Sequence, residues 1–596
     1  MNQLPTENNQ IVATLKQRLL SHLTLIYPDH DLEELADQVI AAFWPGGEKQ
    51  ITSPDYLPDR SIWSEKTTVL ITYGDTLKEE GEKPLTTLGH FLEQNLKDVI
   101  TSVHILPFFP YSSDDGFAVM DYEKVRPDLG DWQDIQTIGN KFQLMSDLVI
   151  NHASAKSDWF EKYLAGDEDY KDFFFTADPS DNLSAVVRPR PSPLLTAFDS
   201  HEGEKHLWCT FGPDQVDFNF ANPKVLLEFI KLMRLYLDNQ VRIFRLDAVA
   251  FIWKEVGTPS IHLPQTHEII RLMRTLTDFS DEGVLLITET NVPNHENLTY
   301  FGNQNEAHLI YNFSLPPILI HALLTGNEYY LKKWLMELPP TQRGCAYFNF
   351  VAGHDGIGLR PATGILEEAD LQEMIDCVVN FGGAISTRST GEGTVRPYEM
   401  NISLYDALKG TVEGEDELQN ERFLAAQTIM MSLEGVPAFY IHSLLATEND
   451  YEKFNKSGFK RCINRRQYQY QDLLEKLKDE TSNQSIILKE ITRLLDIRTK
   501  QLAFHPNAIQ FTLQLPEGLF GFWRQSVYRN QDIFCITNMT KETIELPLHT
   551  LNMYAGVKWT DLLSGNEYET RDQEVNLKPY QSLWITNNPN PPITVR

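Results

Sequence analysis

Eight short apolar runs recur at wide intervals along this chain, and several of the stretches between them have helical periodicity. The runs are "TTVLITYGD" (67–75), "VHILPFFP" (103–110), "FQLMSDLVINH" (142–152), "VRIFRLDAVA" (241–250), "GVLLITET" (283–290), "AHLIYNF" (307–313), "YFNFVAGHD" (347–355) and "GVPAFYIH" (435–442). Between them, "PKVLLEFIKLMRLYLDN" and "THEIIRLMRTLTDF" repeat apolar residues at helical spacing. Strands alternating with helices in this number predict an α/β fold, a (β/α)8 TIM barrel over residues 67–504.

Two intervals, about 153–216 and 356–434, exceed a simple crossover and read as inserted subdomains. Residues 1–66 read as an N-terminal helical extension with a linker, "FWPGGEKQITSPDYLPDRSIW". In 505–596, runs such as "AIQFTLQL" and "DIFCITNMT" alternate and are separated by turn residues, which predicts a C-terminal all-β domain.

The charge balance narrows the partners. Lys and Arg total 52 against 83 Asp and Glu, a net charge of −31, which argues against nucleic acid or an anionic membrane. Five scattered cysteines form no CxxC, so neither a zinc site nor a disulfide framework is expected. The start, "MNQLPTENNQIVATLKQRLL", lacks an apolar signal core, and no run is long enough to cross a bilayer. A cytoplasmic location is the expectation.

In such a barrel, chemistry gathers at the C-terminal strand ends. The conspicuous polar residues fall there: Asp75, Asn151 with His152, Asp247, Glu289, and His354 with Asp355. In "FRLDAVAF" (244–251), Arg245 and Asp247 are two apart and share one face of a strand. A structural ion pair in the core would explain that pair alone. A lone carboxylate is usually a cap or a surface group, but three converging on one pocket repel unless a ligand or cation uses them. Two readings follow, a carboxylate metal site or a carboxylate pair for glycosyl transfer. Arg245 disfavours the metal, because a fixed cation already stands there.

"DLVINH", "FRLDAVAF", "LLITE" and "GHD" resemble, in order and spacing, the four motif regions of the α-amylase superfamily. Within it, "VHILPFFP", "KEVGT", "RPRP", "HDGIG" and "INR" are similar to the sucrose phosphorylase subfamily. "WKEVGTPSIHLPQTH" is most similar to members acting on glucosylglycerate and related glucosides.

The resemblance implies Asp247 as nucleophile, forming a β-glucosyl ester, with Arg245 keeping it ionised. It implies Glu289 as general acid and then base, and Asp355 as stabiliser of the transition state. His152 and His354 would donate to glucose hydroxyls. Asp75 and Arg465 would clamp the far end of the sugar, His104 would line the pocket, and Phe174 would form an apolar wall. Phe174 as a core aromatic and Arg465 as a helix brace are the plain alternatives. Asn151 serves calcium in amylase relatives, but this subfamily generally does without it, so no metal and no cofactor are expected.

A glucosyl ester meets water unless phosphate is bound. "VVRPRPSP" offers Arg188 and Arg190, stiffened by prolines, although a loop with solvated arginines would read the same. Tyr398 matches a tyrosine that helps hold phosphate in the subfamily. The expected reaction is reversible phosphorolysis of a small α-glucoside, with inorganic phosphate as co-substrate, releasing α-glucose 1-phosphate. Sucrose phosphorolysis and plain α-glucoside hydrolysis are the alternatives. A non-catalytic binding subunit would have lost a carboxylate, and all three are present. Glu399 stands where sucrose-acting members usually have Gln, and Phe251 where they usually have Tyr, which favours glycerate or glycerol over fructose. Glu399 would repel a glycerate anion, and Arg396 would offset that repulsion.

Overall fold

A closed ring of eight parallel strands organises the chain. The computed structural model describes residues 7–54, 62–280, 282–389, 395–554, 556–569 and 573–592. Residues 55–61 of the linker and 390–394 of the second long interval lie outside the described residues. The strands are β1 (Val69–Thr72), β2 (Ser102–Ile105), β3 (Gln143–Val149), β4 (Val241–Asp247), β5 (Leu285–Thr288), β6 (Leu309–Tyr311), β7 (Ala346–Asn349) and β8 (Val436–Tyr440). Each expected apolar run overlaps one of them, β2 and β7 beginning one residue before theirs. β8 closes on β1 through Val69↔Ala438 and Ile71↔Tyr440. Both faces of these strands are covered, which is why they read as near-continuous apolar runs rather than alternating ones.

The crossover helices follow local rules. Helix Pro223–Asp238 starts on an Asn222 cap with proline at its first turn, and buries Val225, Leu226, Phe229, Ile230, Met233 and Leu237 along one face. N-terminal helices Glu7–Ile26 and Leu32–Phe43 pack on the outer layer of the barrel. Leu15, Leu19 and Leu23 are fully buried at four-residue spacing, each contributing roughly 1.5–3 kcal/mol. On the same helix, His22 Nδ1 lies 2.6 Å from Glu268 Oε1 and Nε2 lies 2.9 Å from Thr275 Oγ1, fastening it to helix Pro264–Asp278.

Both long intervals follow strand C-termini, after β3 and β7, and overhang the same end of the barrel. The first carries helix Asp158–Ala165 and hairpin Leu195–Ser200/Gly203–Trp208, and pairing of His152–Ser154 with Gln215–Asp217 ties it back. The second carries an antiparallel sheet in the order Ile357–Gly358, Val395–Asn401, Ala384–Ser389. Its last part, helix Gln419–Ser432, is the crossover into β8 rather than an insertion.

Beyond helix Asn483–Arg498 the chain forms a six-stranded antiparallel sheet from Ile509–Thr512, Leu519–Gln525, Asp532–Asn538, Trp559–Asp561, Glu567–Tyr568 and Ser582–Thr586. One face has its own core, with Phe534, Leu546, Trp559, Leu577 and Ile585. The opposite face, with Phe520, Phe522 and Trp584, joins the barrel core. Among the described residues, no helix is long and apolar enough to cross a membrane.

Candidate active site

Strand register brings the first carboxylates together. Asp147 on β3 pairs with Arg245 on β4, and Thr288 on β5 pairs with Leu246, so Glu289 stands beside Asp247 at the adjacent strand end. Neighbouring strands run about 4.8 Å apart, which suits a carboxylate pair about 5 Å apart. Arg245 Nη1 lies 2.5 Å from Asp247 Oδ1 and also bonds Asp147. Phe117 and Tyr311 enclose its guanidinium, with ring centroids at 5.7 and 5.6 Å. After Asp247 the chain turns sharply: Ala248 has φ 56°, a conformation strained for a residue with a Cβ, and its N–H donates to Glu289 Oε2 at 3.2 Å.

Asp355, after β7, sits among cations. Arg461 Nη1 is 2.6 Å from its Oδ1, and Arg465 Nη2 is 3.9 Å away. Arg461 also grips Glu399 through bonds of 2.5 and 3.1 Å. His354 stacks on Phe117 at 4.9 Å with 7° between the rings. Asp247, Glu289, His354, Asp355, Tyr398 and Glu399 line one cavity, joined by His152, Arg190, Phe211 and Arg461.

Burial raises the Asp247 and Glu289 carboxyls above the usual carboxylate range, Arg245 works against it, and neighbouring carboxylates add to the rise. The pair therefore holds a proton to unusually high pH, and direct contact with Arg245 leaves that proton on Glu289. At Asp355 burial also pushes upward, but Arg461, His354 and Arg465 prevail and hold it below the usual range. Burial lowers His354 to about 3, so its ring is neutral. Tyr398 is pushed up to about 12, chiefly by burial, and keeps its proton.

The model of the α-amylase catalytic domain matches residues 94–339. Glucosylglycerate phosphorylase of Spirochaeta thermophila is 42% identical over 92% of this chain and 95% of that one. That of Allomeiothermus silvanus is 41% identical over 97% and 100%. The chain belongs to the α-amylase superfamily, in the branch that holds these phosphorylases. The crystal structure of sucrose 6F-phosphate phosphorylase from Thermoanaerobacter thermosaccharolyticum superposes with a TM-score of 0.71 at 24% identity, covering 88% of this chain and 100% of that one.

Of the residues expected at the site of this phosphorylase-branch protein, Phe174, His104, Asp75, Arg188 and Arg396 do not line the cavity, and Arg465 stands beside Asp355 without Asp75. Phe174 is buried in the inserted subdomain against Phe160, Tyr163 and Phe218, and Phe211 lines the cavity instead, 5.2 Å from His152 and 5.6 Å from Phe251. His104 lies beneath the floor, fully buried, with Nε2 2.7 Å from Asp147 Oδ2. Asp75 accepts from Arg126 and Gln467, each at 2.8 Å, while Arg465 pairs with Asp115 at 2.8 Å, so the two do not clamp one ligand together. Arg188 is turned back onto the carbonyl of Ser192, leaving Arg190 as the arginine of "RPRP" that reaches the cavity. Arg396 is 67% exposed and lies 3.7 Å from Glu368.

Asp147, Phe211, Arg461 and Lys254 were not singled out from sequence. Asp147 opens the "DLVINH" motif, and Lys254 lies in "KEVGT". Lys254 is buried with Nζ 2.8 Å from Asn151 Oδ1 and 3.1 Å from Asp217 Oδ2, so an ammonium engages the asparagine for which the resemblance implied a calcium role in amylase relatives. Arg461 stands four residues before Arg465, and the "INR" match drew attention to the latter.

Proposed function

We propose that the protein catalyses reversible phosphorolysis of an α-glucosyl glycerate, releasing glycerate and α-D-glucose 1-phosphate with retention at the anomeric carbon. The observation that carries this reading is the lateral pair Asp247 and Glu289, of which Asp247 and not Glu289 is in contact with the Arg245 guanidinium. The names of the relatives at 42% and 41% identity support the substrate.

Asp247 attacks C1 while Glu289 gives its proton to the departing glycerate oxygen, and the C1–glycerate bond breaks as the ester forms. A phosphate oxygen then attacks C1 from the vacated face. Glu289 takes the proton of that nucleophile, and the ester bond electrons return to Asp247. Two inversions give retention. Asp355 stabilises the oxocarbenium character between the two steps, and Arg190 with Tyr398 holds phosphate. No step requires a metal or organic cofactor. A reducing, cytoplasmic setting fits the five free, buried cysteines.

The test supplies α-glucose 1-phosphate with glycerate, glycerol or fructose and follows phosphate release. Release should be fastest with glycerate. Glucose release from the glucoside at equal rates with and without phosphate would defeat the reading.

A further inference from the structure

The chain carries a net charge of −31, yet arginines gather on the sheet beside the cavity. Strands Ile357–Gly358 and Ala384–Ser389 flank Val395–Asn401. Tyr398 on the middle strand faces the cavity with Arg190 over its ring, 5.6 Å from the centroid. Leu359 N–H donates to Tyr398 O at 2.9 Å, which sets Arg360 beside the tyrosine. On the other flank Ser386 pairs with Glu399, a cavity residue. The pairing then skips Tyr398, so the extra residue lies in the middle strand; on the unbulged strand Arg388, two residues beyond Ser386 and opposite Arg396, keeps the alternation and lies about 7 Å outward.

Among the described residues, the carboxylates near these cations are already engaged, Glu368 by Arg396 at 3.7 Å among them. Glu399 is taken by Arg461. Arg360 reaches Glu296 at 3.4 Å, and that carboxylate also holds His262 at 3.0 Å. Among the described residues, the cations beside Arg388 are Arg360 and Arg396; burial lowers its guanidinium pKa, these cations add to the fall, and Tyr398 works against it. A half-buried cation crowded by like charges is stabilised when an anion arrives.

The two candidate anions differ in reach. In phosphate, the free oxygens share an atom with the attacking oxygen. In glycerate, whichever hydroxyl is linked, the carboxylate oxygens lie at least one bond farther from the anomeric carbon. Arg190 lines the cavity and suits the nearer anion; Arg388 and Arg360 stand farther out. We propose that Arg388, backed by Arg360, binds the acceptor carboxylate and selects the three-carbon acid over the neutral polyol. The inference rests on the phosphorylase reading above.

The test uses the full-length protein with Arg388→Gln and Arg388→Lys. Initial rates of phosphate release from α-glucose 1-phosphate are measured against glycerate and glycerol, and phosphorolysis is measured against phosphate. Arg388→Gln should raise the KM for glycerate by at least about tenfold more than the KM for glycerol or phosphate, with partial recovery in Arg388→Lys. A glycerate KM within about twofold of wild type, or a phosphate KM raised as much as that of glycerate, overturns the assignment. The wild-type arm isolates the underlying reading: a wild type that releases phosphate with no acceptor refutes phosphorylase activity itself, whatever the variants do.

Discussion

The guanidinium of Arg461 clasps Glu399 with two bonds, 2.5 and 3.1 Å long, and its remaining nitrogen lies 2.6 Å from Asp355. One cation thus neutralises two carboxylates that line the cavity. Burial alone would raise Asp355, and Arg461 is the largest influence holding it down. Arg461→Gln should lower kcat/KM on the order of 10²-fold, because Asp355 loses both its position and its charge. The sign for pH follows. A carboxyl that must be ionised and whose pKa rises loses activity earlier on acidification, so the acid limb of the kcat/KM profile should move to higher pH. An unmoved limb would mean that Arg461 does not set the ionisation of Asp355.

Glu289 is argued to carry the proton, so removing it should hurt poor leaving groups most. Glu289→Gln should cost about 10²–10⁴-fold on the natural glucoside. With α-glucosyl fluoride, whose leaving group needs little protonation, the variant should still form the ester on Asp247, visible as a glucosyl mass increment on the intact protein. Equal losses on both substrates would remove Glu289 from the acid role.

The same residue links activity to stability. Its folded-state carboxyl is raised by burial, with Arg245 opposing and Asp355 adding to the rise. Its stabilising contribution is therefore fully present below the unfolded value, about 4.3, and is lost as pH rises through the folded value. Glutamine loses nothing over that window. The Tm of Glu289→Gln minus that of wild type, read by scanning calorimetry, should thus grow as pH rises from the unfolded value through the raised folded one. A difference independent of pH would contradict the raised carboxyl.

Which parts of this were legible in the sequence follows from local physics. Parallel strands covered on both faces must be apolar throughout, so each run disclosed its strand, and the strand ends disclosed Asp247, Glu289 and Asp355. Asp147 was harder to find because its work is done on Arg245, one layer beneath the cavity. Arg461 belongs to a single-turn segment, Lys460–Asn464, that only tertiary closure brings to β7. Within the first inserted subdomain no period distinguishes one aromatic from another. Phe174 and Phe211 exchanged roles for that reason, and the turn after Arg188 decided which arginine of "RPRP" faces inward.

That exchange can be measured. Phe211 lies against His152 and Phe251 at the cavity wall, whereas Phe174 is enclosed by other rings. Phe211→Ala should raise the KM for α-glucose 1-phosphate about tenfold, or ~1.4 kcal/mol, with little change in Tm. Phe174→Leu should do the reverse, lowering stability by roughly 0.5–3 kcal/mol while KM stays near wild type. Coincident effects on KM would return Phe174 to the sugar site.

Lys254 supplies the last expectation. Its ammonium is 1% exposed and Asp217 is fully buried, 3.1 Å away, with Thr210 donating to the same carboxylate. Burial lowers the Lys254 pKa, and Asp217 opposes that by favouring its charged form. Removing the cation leaves a carboxylate with hydrogen bonds but no counter-charge inside the protein. Breaking such a pair costs about 3–5 kcal/mol, much more than the lysine side chain contributes by packing. Lys254→Met should therefore unfold at markedly lower temperature. The double variant Lys254→Met with Asp217→Asn, which removes both charges, should recover part of that loss. A double variant no more stable than the single one would show that the charge pair is not what holds Asn151 and the start of the inserted subdomain in place.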